Sequence, residues 1–577
     1  MSQRRERHKA LVYHSKPNPG KIKVVPTKSH QSQRDLSLAY SPGVAYPCLE
    51  INENPDDVYK YTSKSNLVAV ISNGTAVLGL GDIGPLASKP VMEGKGLLFK
   101  IFADIDVFDI EVDTNNIEEF IQTVKNISPT FGGINLEDIK APDAFEIERR
   151  LVDELDIPVM HDDQHGTAII SGAALINALE IAGKKIDEVK MVICGAGAAA
   201  ISCGKIYKAL GVKAENIIMF DSKGPLNEKR DNLTSEKKDF ISNRNDVESL
   251  SDAVKNSDIF IGLSKSNMLT AEMLKTMALN PIVFAMANPD PEISYQLAIS
   301  TRDDIIMATG RSDHPNQVNN VLGFPFIFRG ALDVKASKIN EEMKMAAVHA
   351  LAKLAKEPVP EYVNIAYGEK KLAFGRDYII PKPFDQRLIT TVPLAVARAA
   401  ISSGVARENI EDWTKYENEL ASRLGNNNKI TRLLISKAKN NPKRIVYPEA
   451  DKLDVIKAAQ IVHEEGIGIP ILLGNRDRIE KMRSEIEYEN EVEIIDLSES
   501  KHDKIKDKYA KTFVELRTLN PVEDKDFGAI SLLNWNTYWN LAFKVICFSI
   551  WRSTDVVLFV IASFELSIEL TKFEYLK

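Results

Sequence analysis

The stretch that most restricts the fold is VKMVICGAGAAAISCG, residues 189–204. An apolar run gives way to Gly195-Ala196-Gly197-Ala198-Ala199-Ala200 and then to a small-residue apolar segment. Strand, GxGxxA turn and helix in that order form the dinucleotide-binding fingerprint of a doubly wound α/β sheet. Gly195 makes the tight turn, Gly197 leaves the backbone bare where a pyrophosphate meets the helix N-terminus, and Ala200 lets the helix pack closely. A second apolar run, residues 216–221, ends in Asp221 at about the spacing where such folds place an acid on the adenosine ribose. That acid favours NAD. Ser222 and Lys223 directly behind it could instead receive the 2′-phosphate of NADP, so both dinucleotides stay open. Apolar runs at 259–262 and 282–287 extend the sheet, and Asn288, just past the second, is expected at the nicotinamide ribose.

At 577 residues the chain should hold about three domains. Hydrophobic content of 44%, charged content of 27% and a net charge of -8 describe a globular protein and argue against nonspecific nucleic-acid binding. Cys48, Cys194, Cys203 and Cys547 lack disulfide-framework or zinc spacing, which suits a reducing, cytoplasmic setting. Residues 1–14 are basic but have no apolar core, unlike a secretory signal. The most apolar window, 545–564, is interrupted by Arg552 and Asp555 and is not expected to cross a membrane.

Chemistry-bearing residues precede the fingerprint. Tyr40 stands just before the rigid Pro42-Gly43 turn, where it either packs its ring or is positioned for proton transfer. Residues 67–72 and 76–80, joined by Asn73-Gly74, read as a hairpin that opens into the glycine-rich 79–85. Those glycines serve a sharp turn or a close ligand approach. Lys95 lies between Gly94 and Gly96. Solvated, it is bland; desolvated in a cleft, its pKa falls and it accepts a proton near neutrality. Residues 99–113 read as a strand with a solvated acidic face.

In FGGINLEDI, residues 131–139, Glu137 and Asp138 are neighbours, and neighbours on a strand point apart. They converge only if the backbone is irregular, which Gly132 and Gly133 allow. With Asp163 they would form an all-oxygen site suited to Mg²⁺ or Mn²⁺. A strand over 156–160 should end in a polar turn carrying His161, Asp162, Asp163 and His165, followed by a helix over 167–182 that leads to the fingerprint. The histidines read as bonding or packing residues rather than zinc ligands. Asn319 and Asn320 either bond a substrate carboxylate or cap the following turn.

Together these segments resemble malic enzyme, in the bacterial hybrid type that carries a phosphotransacetylase-like domain, over about residues 20–425. The resemblance implies Tyr40 as general acid, Lys95 as general base and Asp162 as the neighbour orienting that base. It implies Glu137, Asp138 and Asp163 as ligands of Mg²⁺ or Mn²⁺. Cofactor and substrate contacts would come from Ala76, Val77, Leu78, Gly79, Leu80, Gly81, Asp82 and Ile83, from Gly195, Ala196, Gly197 and Ala198, and from Asp163, Asp221, Asn288 and Asn320. The arginine that animal-type malic enzymes place before the 76–81 segment is lacking, which leaves Asn319 and Asn320 as candidates for the carboxylate anchor.

The implied reaction is oxidative decarboxylation of (S)-malate to pyruvate and CO₂ with NADP, or NAD, by a cytoplasmic homo-oligomer that engages neither nucleic acid nor membrane. A metal-independent hydroxy-acid or amino-acid dehydrogenase and a non-catalytic scaffold are the alternatives. The expected architecture is α/β: an N-terminal malic enzyme domain (1–163), a Rossmann-like doubly wound NAD(P) domain (164–425) and a partial α/β phosphotransacetylase-like domain (426–577). In the last, a helix over 430–439 and strands near 444 and 469–474 resemble only the opening of such a domain. The stretch beyond about Phe527 matches no motif, so a truncated domain without acetyl transfer is expected.

Overall fold

Parallel strands covered by helices dominate the computed structural model, which describes residues 2–499 apart from 17, 78, 232, 245, 289, 368–370, 425–437, 439–440, 465, 487, 489 and 497. The chain divides into two units, Met1–Leu424 and Gly425–Lys577.

In the first unit, β1 (Leu67–Ser72), β2 (Asp106–Glu111), β3 (Gly133–Leu136) and β4 (Val159–His161) form a parallel sheet in the order β2-β1-β3-β4. Every residue of β1 is buried, as a covered parallel strand requires of an unbroken apolar run. Both edges of β1 are taken by β2 and β3, so the expected hairpin does not form, and Val77 meets Gly81 in an isolated bridge instead. The strand expected from residue 99 starts only at Asp106, because residues up to Ala103 continue the helix Pro85–Ala103. Asp104 ends that helix in the left-handed region, φ 52°, a conformation short polar side chains tolerate.

A second sheet holds β5 (Met191–Cys194), β6 (Ile217–Asp221), β7 (Gly224–Pro225), β8 (Ile259–Gly262), β9 (Ile282–Ala285) and β10 (Ile306–Thr309) in the order β10-β9-β8-β5-β6-β7. All pairs are parallel except β6 with β7. The chain leaves β5 to one side for β6 and later to the other for β8, so the ends of β5 and β8 flank the crevice where doubly wound sheets bind ligands. Met191 and Ile193 face one apolar cluster and Val192 and Cys194 the other, so both faces are covered.

The helix Asp162–Ala182 joins the two sheets. It starts at Asp162 rather than 167, placing both aspartates in its first turn, where carboxylates favour the helix dipole. Among the described residues it is the one helix long and apolar enough to cross a membrane, and it is mostly buried in the core. It packs on the helices Ala198–Leu210 and Glu341–Lys356. A Cβ on Gly172 would lie 2.8 Å from Ile206, which explains the small residues along this face.

Near the N-terminus, the helices Gln33–Ala39 and Ala45–Glu53 bury no residue and expose Leu36, Leu38, Tyr46 and Leu49. The second unit contains the parallel sheet β11 (Lys443–Tyr447), β12 (Gly468–Leu473) and β13 (Glu493–Ile495), with a core of its own that includes Ile445, Ile456, Leu472 and Ile479. The helix expected over 430–439 falls almost wholly outside the described residues, as do the stretch beyond Phe527 and the 545–564 window.

Candidate active site

Lys95 sits on the helix Pro85–Ala103, held against β2 because Gly96 lets Val107 approach to 3.2 Å from where a Cβ would stand. Its Nζ lies 2.8 Å from Glu137 Oε1 and 2.8 Å from Asp162 Oδ2. The Phe324 ring centroid is 4.4 Å away. Burial pushes the lysine pKa down, as its small neighbours suggested. Attraction from Asp162, Glu137 and Asp163 outweighs burial and leaves Lys95 above its ordinary value, so in this state it is an ammonium rather than the neutral amine anticipated. Burial raises Glu137 well above the usual carboxylate range, and Asp162 is raised for the same reason despite Lys95 beside it. One ammonium faces the carboxylates of Glu137, Asp138, Asp162 and Asp163, an imbalance that a divalent cation would relieve.

Glu137, Asp138 and Asp163 each offer a carboxylate oxygen, and these atoms lie within 4.8 Å of one another. The irregular backbone this needs is at Asp138 itself, φ 53°, two residues past the end of β3, and not at the glycines. Gly132 and Gly133 serve packing instead: a Cβ would meet Lys64 O at 2.2 Å and the Phe328 ring at 3.2 Å. Asp138 N donates to Asp163 Oδ2 at 2.8 Å, and Asn135 Nδ2 donates to Glu137 Oε2 at 2.8 Å. Three converging carboxylates with no nitrogen or sulfur among them fit a hard dication such as Mg²⁺ or Mn²⁺.

Both histidines stand behind this set. His161 N donates to Glu148 Oε1 at 2.8 Å, and His165 Nε2 lies 3.0 Å from the same oxygen. Burial alone would raise Glu148, but His165, Lys344 and His161 hold its carboxyl down at about 2.

The 76–83 loop adjoins the carboxylates through Ala76 N, which donates to Asp138 O at 3.0 Å. Val77 is buried, while Gly79, Leu80, Gly81, Asp82 and Ile83 are exposed and Leu78 lies outside the described residues. Asn319 Oδ1 caps the turn Asn320–Leu322 by accepting from Val321 N at 3.0 Å. Asn320 lies against the Asp162 turn, since a Cβ on Gly166 would be 2.8 Å from the Asn320 Cβ and 2.1 Å from Asp162 Oδ1. Tyr40 is 77% exposed, and among the described residues no hydrogen bond joins its hydroxyl to the cluster.

In the nucleotide half, Gly195 has φ 132° and a Cβ there would strike Leu263 O at 2.4 Å, so only glycine fits. Gly197 precedes the helix Ala198–Leu210 with open space where its Cβ would be, followed by Ala198 in the first turn and Ala200 buried; Ala196 is half-buried. Asn288 stands exposed past β9, beside Gly310 past β10. Asp221 is gripped by Arg230, at 3.1 and 3.0 Å, and by Lys237 at 3.0 Å. Burial would raise this carboxyl, but those cations and the Lys223 amide hold it well below the usual range. Neither cation carried a sequence signal, because both lie in a polar stretch that matches no motif.

The malic enzyme N-terminal domain family matches residues 19–152, the malic enzyme NAD binding domain family residues 164–366, and the phosphate acetyl/butaryl transferase family residues 429–528. The chain is 58% identical over 402 residues to an NADP-dependent malic enzyme of Halomonas elongata, covering 70% of this chain and 95% of that protein. It is 54% identical over 476 residues to one of Haemophilus influenzae, covering 82% of this chain and 63% of that protein, so it spans a little under two thirds of that longer relative. The crystal structure of malic enzyme from Pyrococcus horikoshii superposes with a TM-score of 0.67 at 41% identity, covering 75% of this chain and 98% of that one. The chain therefore belongs to the malic enzyme family.

Proposed function

We propose that this protein oxidatively decarboxylates (S)-malate to pyruvate and CO₂, with NADP as hydride acceptor and a divalent cation. The observation that carries the reading is Lys95 Nζ, 2.8 Å from both Glu137 and Asp162, beside the converging oxygens of Glu137, Asp138 and Asp163. Those three acids would hold Mg²⁺ or Mn²⁺, which when bound supplies Lewis-acid polarisation of the substrate oxygens.

Lys95 accepts the proton of the malate C2 hydroxyl, and NADP, which the Gly195 loop and Asn288 would hold, would supply the acceptor for the C2 hydride. Lys95 must be neutral to take that proton, and a dication held by Glu137, Asp138 and Asp163 would lower its proton affinity, by drawing off the attraction of Glu137 and Asp163 and by adding positive charge nearby. Asp162, through its 2.8 Å bond, aims Nζ at the hydroxyl. Breaking the bond from C3 to the departing carboxylate leaves an electron pair on the enolate, and Tyr40 donates a proton at C3 to give pyruvate. The proton gained at Lys95 balances the one lost at Tyr40. Tyr40 serves this step when residues 33–53 are covered, and assembly into a homo-oligomer would bury the exposed Leu36, Leu38, Tyr46 and Leu49 there.

The test is an assay of the purified chain with malate, Mn²⁺ and either dinucleotide. Reduced NADP and pyruvate are expected in equal amounts, with activity abolished by EDTA. Activity that survives EDTA, or a keto acid formed without CO₂, overturns the reading in favour of a metal-independent dehydrogenase.

Gly166 gives a sharper check. Its Cβ position falls 2.1 Å from Asp162 Oδ1, so Gly166→Ala must displace the carboxylate that orients Lys95. A shift of that size is expected to lower kcat about a hundredfold. An unchanged far-UV circular dichroism spectrum would show that the fold persists.

A further inference from the structure

We propose that Arg230 and Lys237 receive the 2′-phosphate of NADP, and that Asp221 anchors these two cations rather than accepting ribose hydroxyls. The inference rests on the reading that a dinucleotide binds at the Gly195 loop.

In a doubly wound sheet the adenosine ribose lies beyond the strand next to the fingerprint strand, which here is β6, ending at Asp221. The chain turns back through β7 and returns alongside, with Leu226 N donating to Met219 O at 2.8 Å. That return brings Arg230 and Lys237 to one carboxylate from nine and sixteen residues downstream. Arg230 forks onto Asp221, Nη1 to Oδ1 at 3.1 Å and Nη2 to Oδ2 at 3.0 Å. Lys237 Nζ donates to Oδ2 at 3.0 Å, and Lys223 N donates to Oδ1 at 2.9 Å.

An ionised carboxylate has about four acceptor sites, and these donors occupy them. A ribose with free hydroxyls would have to displace an arginine or a lysine to bond Asp221. A phosphate gains from the same arrangement, because two cations surround a single anion and the positive charge is in excess. Lys237 uses one ammonium hydrogen on Asp221, and among the described residues no other acceptor engages it. Arg230 and Lys237 keep 18% and 25% of their side-chain surface exposed, so an anion can reach them. Ser222 and Lys223, the sequence candidates, are exposed, and Lys223 contributes its backbone amide to Asp221.

The experiment is calorimetric titration of the full chain with NADP⁺, NAD⁺ and 2′,5′-ADP, comparing wild type with Arg230→Gln, Lys237→Gln and Arg230→Lys. Each glutamine variant is expected to weaken NADP⁺ and 2′,5′-ADP binding by roughly ten- to a hundredfold, while NAD⁺ affinity is kept or rises because Asp221 gains free acceptor sites for ribose hydroxyls. Arg230→Lys should fall between, since it keeps the charge and loses the fork. Wild-type NADP⁺ affinity in both glutamine variants overturns the assignment while the dinucleotide reading stands. Equal loss of NAD⁺ and NADP⁺ would make the residues merely structural and overturns it as well. Wild type that binds neither dinucleotide sinks the underlying reading itself.

Discussion

Replacing Lys95 with alanine is expected to lower malate turnover by about a thousandfold, the order that a positioned proton acceptor contributes. A second effect separates chemistry from structure. Glu137 and Asp162 are buried, and without Lys95 they lose the ammonium 2.8 Å from each. Breaking a buried pair in this way costs about 3 kcal/mol or more. The cost depends on pH with a definite sign. Both carboxyls have folded pKa values raised above their ordinary ones, so the folded state holds protons that the unfolded chain has released. Stability of Lys95→Ala should therefore fall as pH rises through and beyond the ordinary carboxylate range. Mn²⁺ should restore much of it, by supplying positive charge to the same acids. Thermal melts across pH, with and without Mn²⁺, read both effects. A variant that melts like wild type at every pH would mean that the ammonium does not compensate these acids.

Asp163→Ala should remove both cation binding and turnover. Asp163 supplies one of three converging oxygens and also accepts the Asp138 amide at 2.8 Å, so its loss deletes a ligand and frees the turn that aims another. Altering an outer partner of a metal ligand costs ten- to a hundredfold in affinity, and deleting a ligand should exceed about a hundredfold. Titration of Mn²⁺ by electron paramagnetic resonance measures this directly. The Asp163 side chain is 40% exposed, so the fold should survive the change. Wild-type Mn²⁺ affinity in this variant would remove Asp163 from the ligand set.

What the sequence revealed depended on whether the constraint was local. Gly195 was legible because a tight turn at φ 132° against Leu263 O admits no other residue, and the motif records that demand. The strands β5, β6, β8 and β9 were legible because burial on both faces leaves unbroken apolar runs. Asn73-Gly74 misled: it is a strong hairpin signal, but β1 already had a parallel partner on each edge, and those pairings come from distant segments.

The start of the helix Asp162–Ala182 was obscured because Asp162, Asp163 and His165 are poor interior residues, although acids suit a first turn. Burial of Lys95 could be anticipated from its neighbours, whereas its charge could not, since Asp162 lies 67 residues away in sequence. Asp138 shows the same limit. The sequence required an irregular backbone beside Glu137, but nearby glycines drew attention from the aspartate that adopts it.

The helix Asp162–Ala182 has one more consequence. Its first turn carries Asp162 and Asp163, while its later turns press so closely on the helix after the glycine loop that Gly172 has no room for a methyl group. A close-packed rod of this kind neither compresses nor slides freely. The acids that converge on the candidate cation site and the helix that follows the glycine loop are therefore parts of one packed frame, and the spacing between them is set by side-chain contact along this helix rather than by the loops on either side.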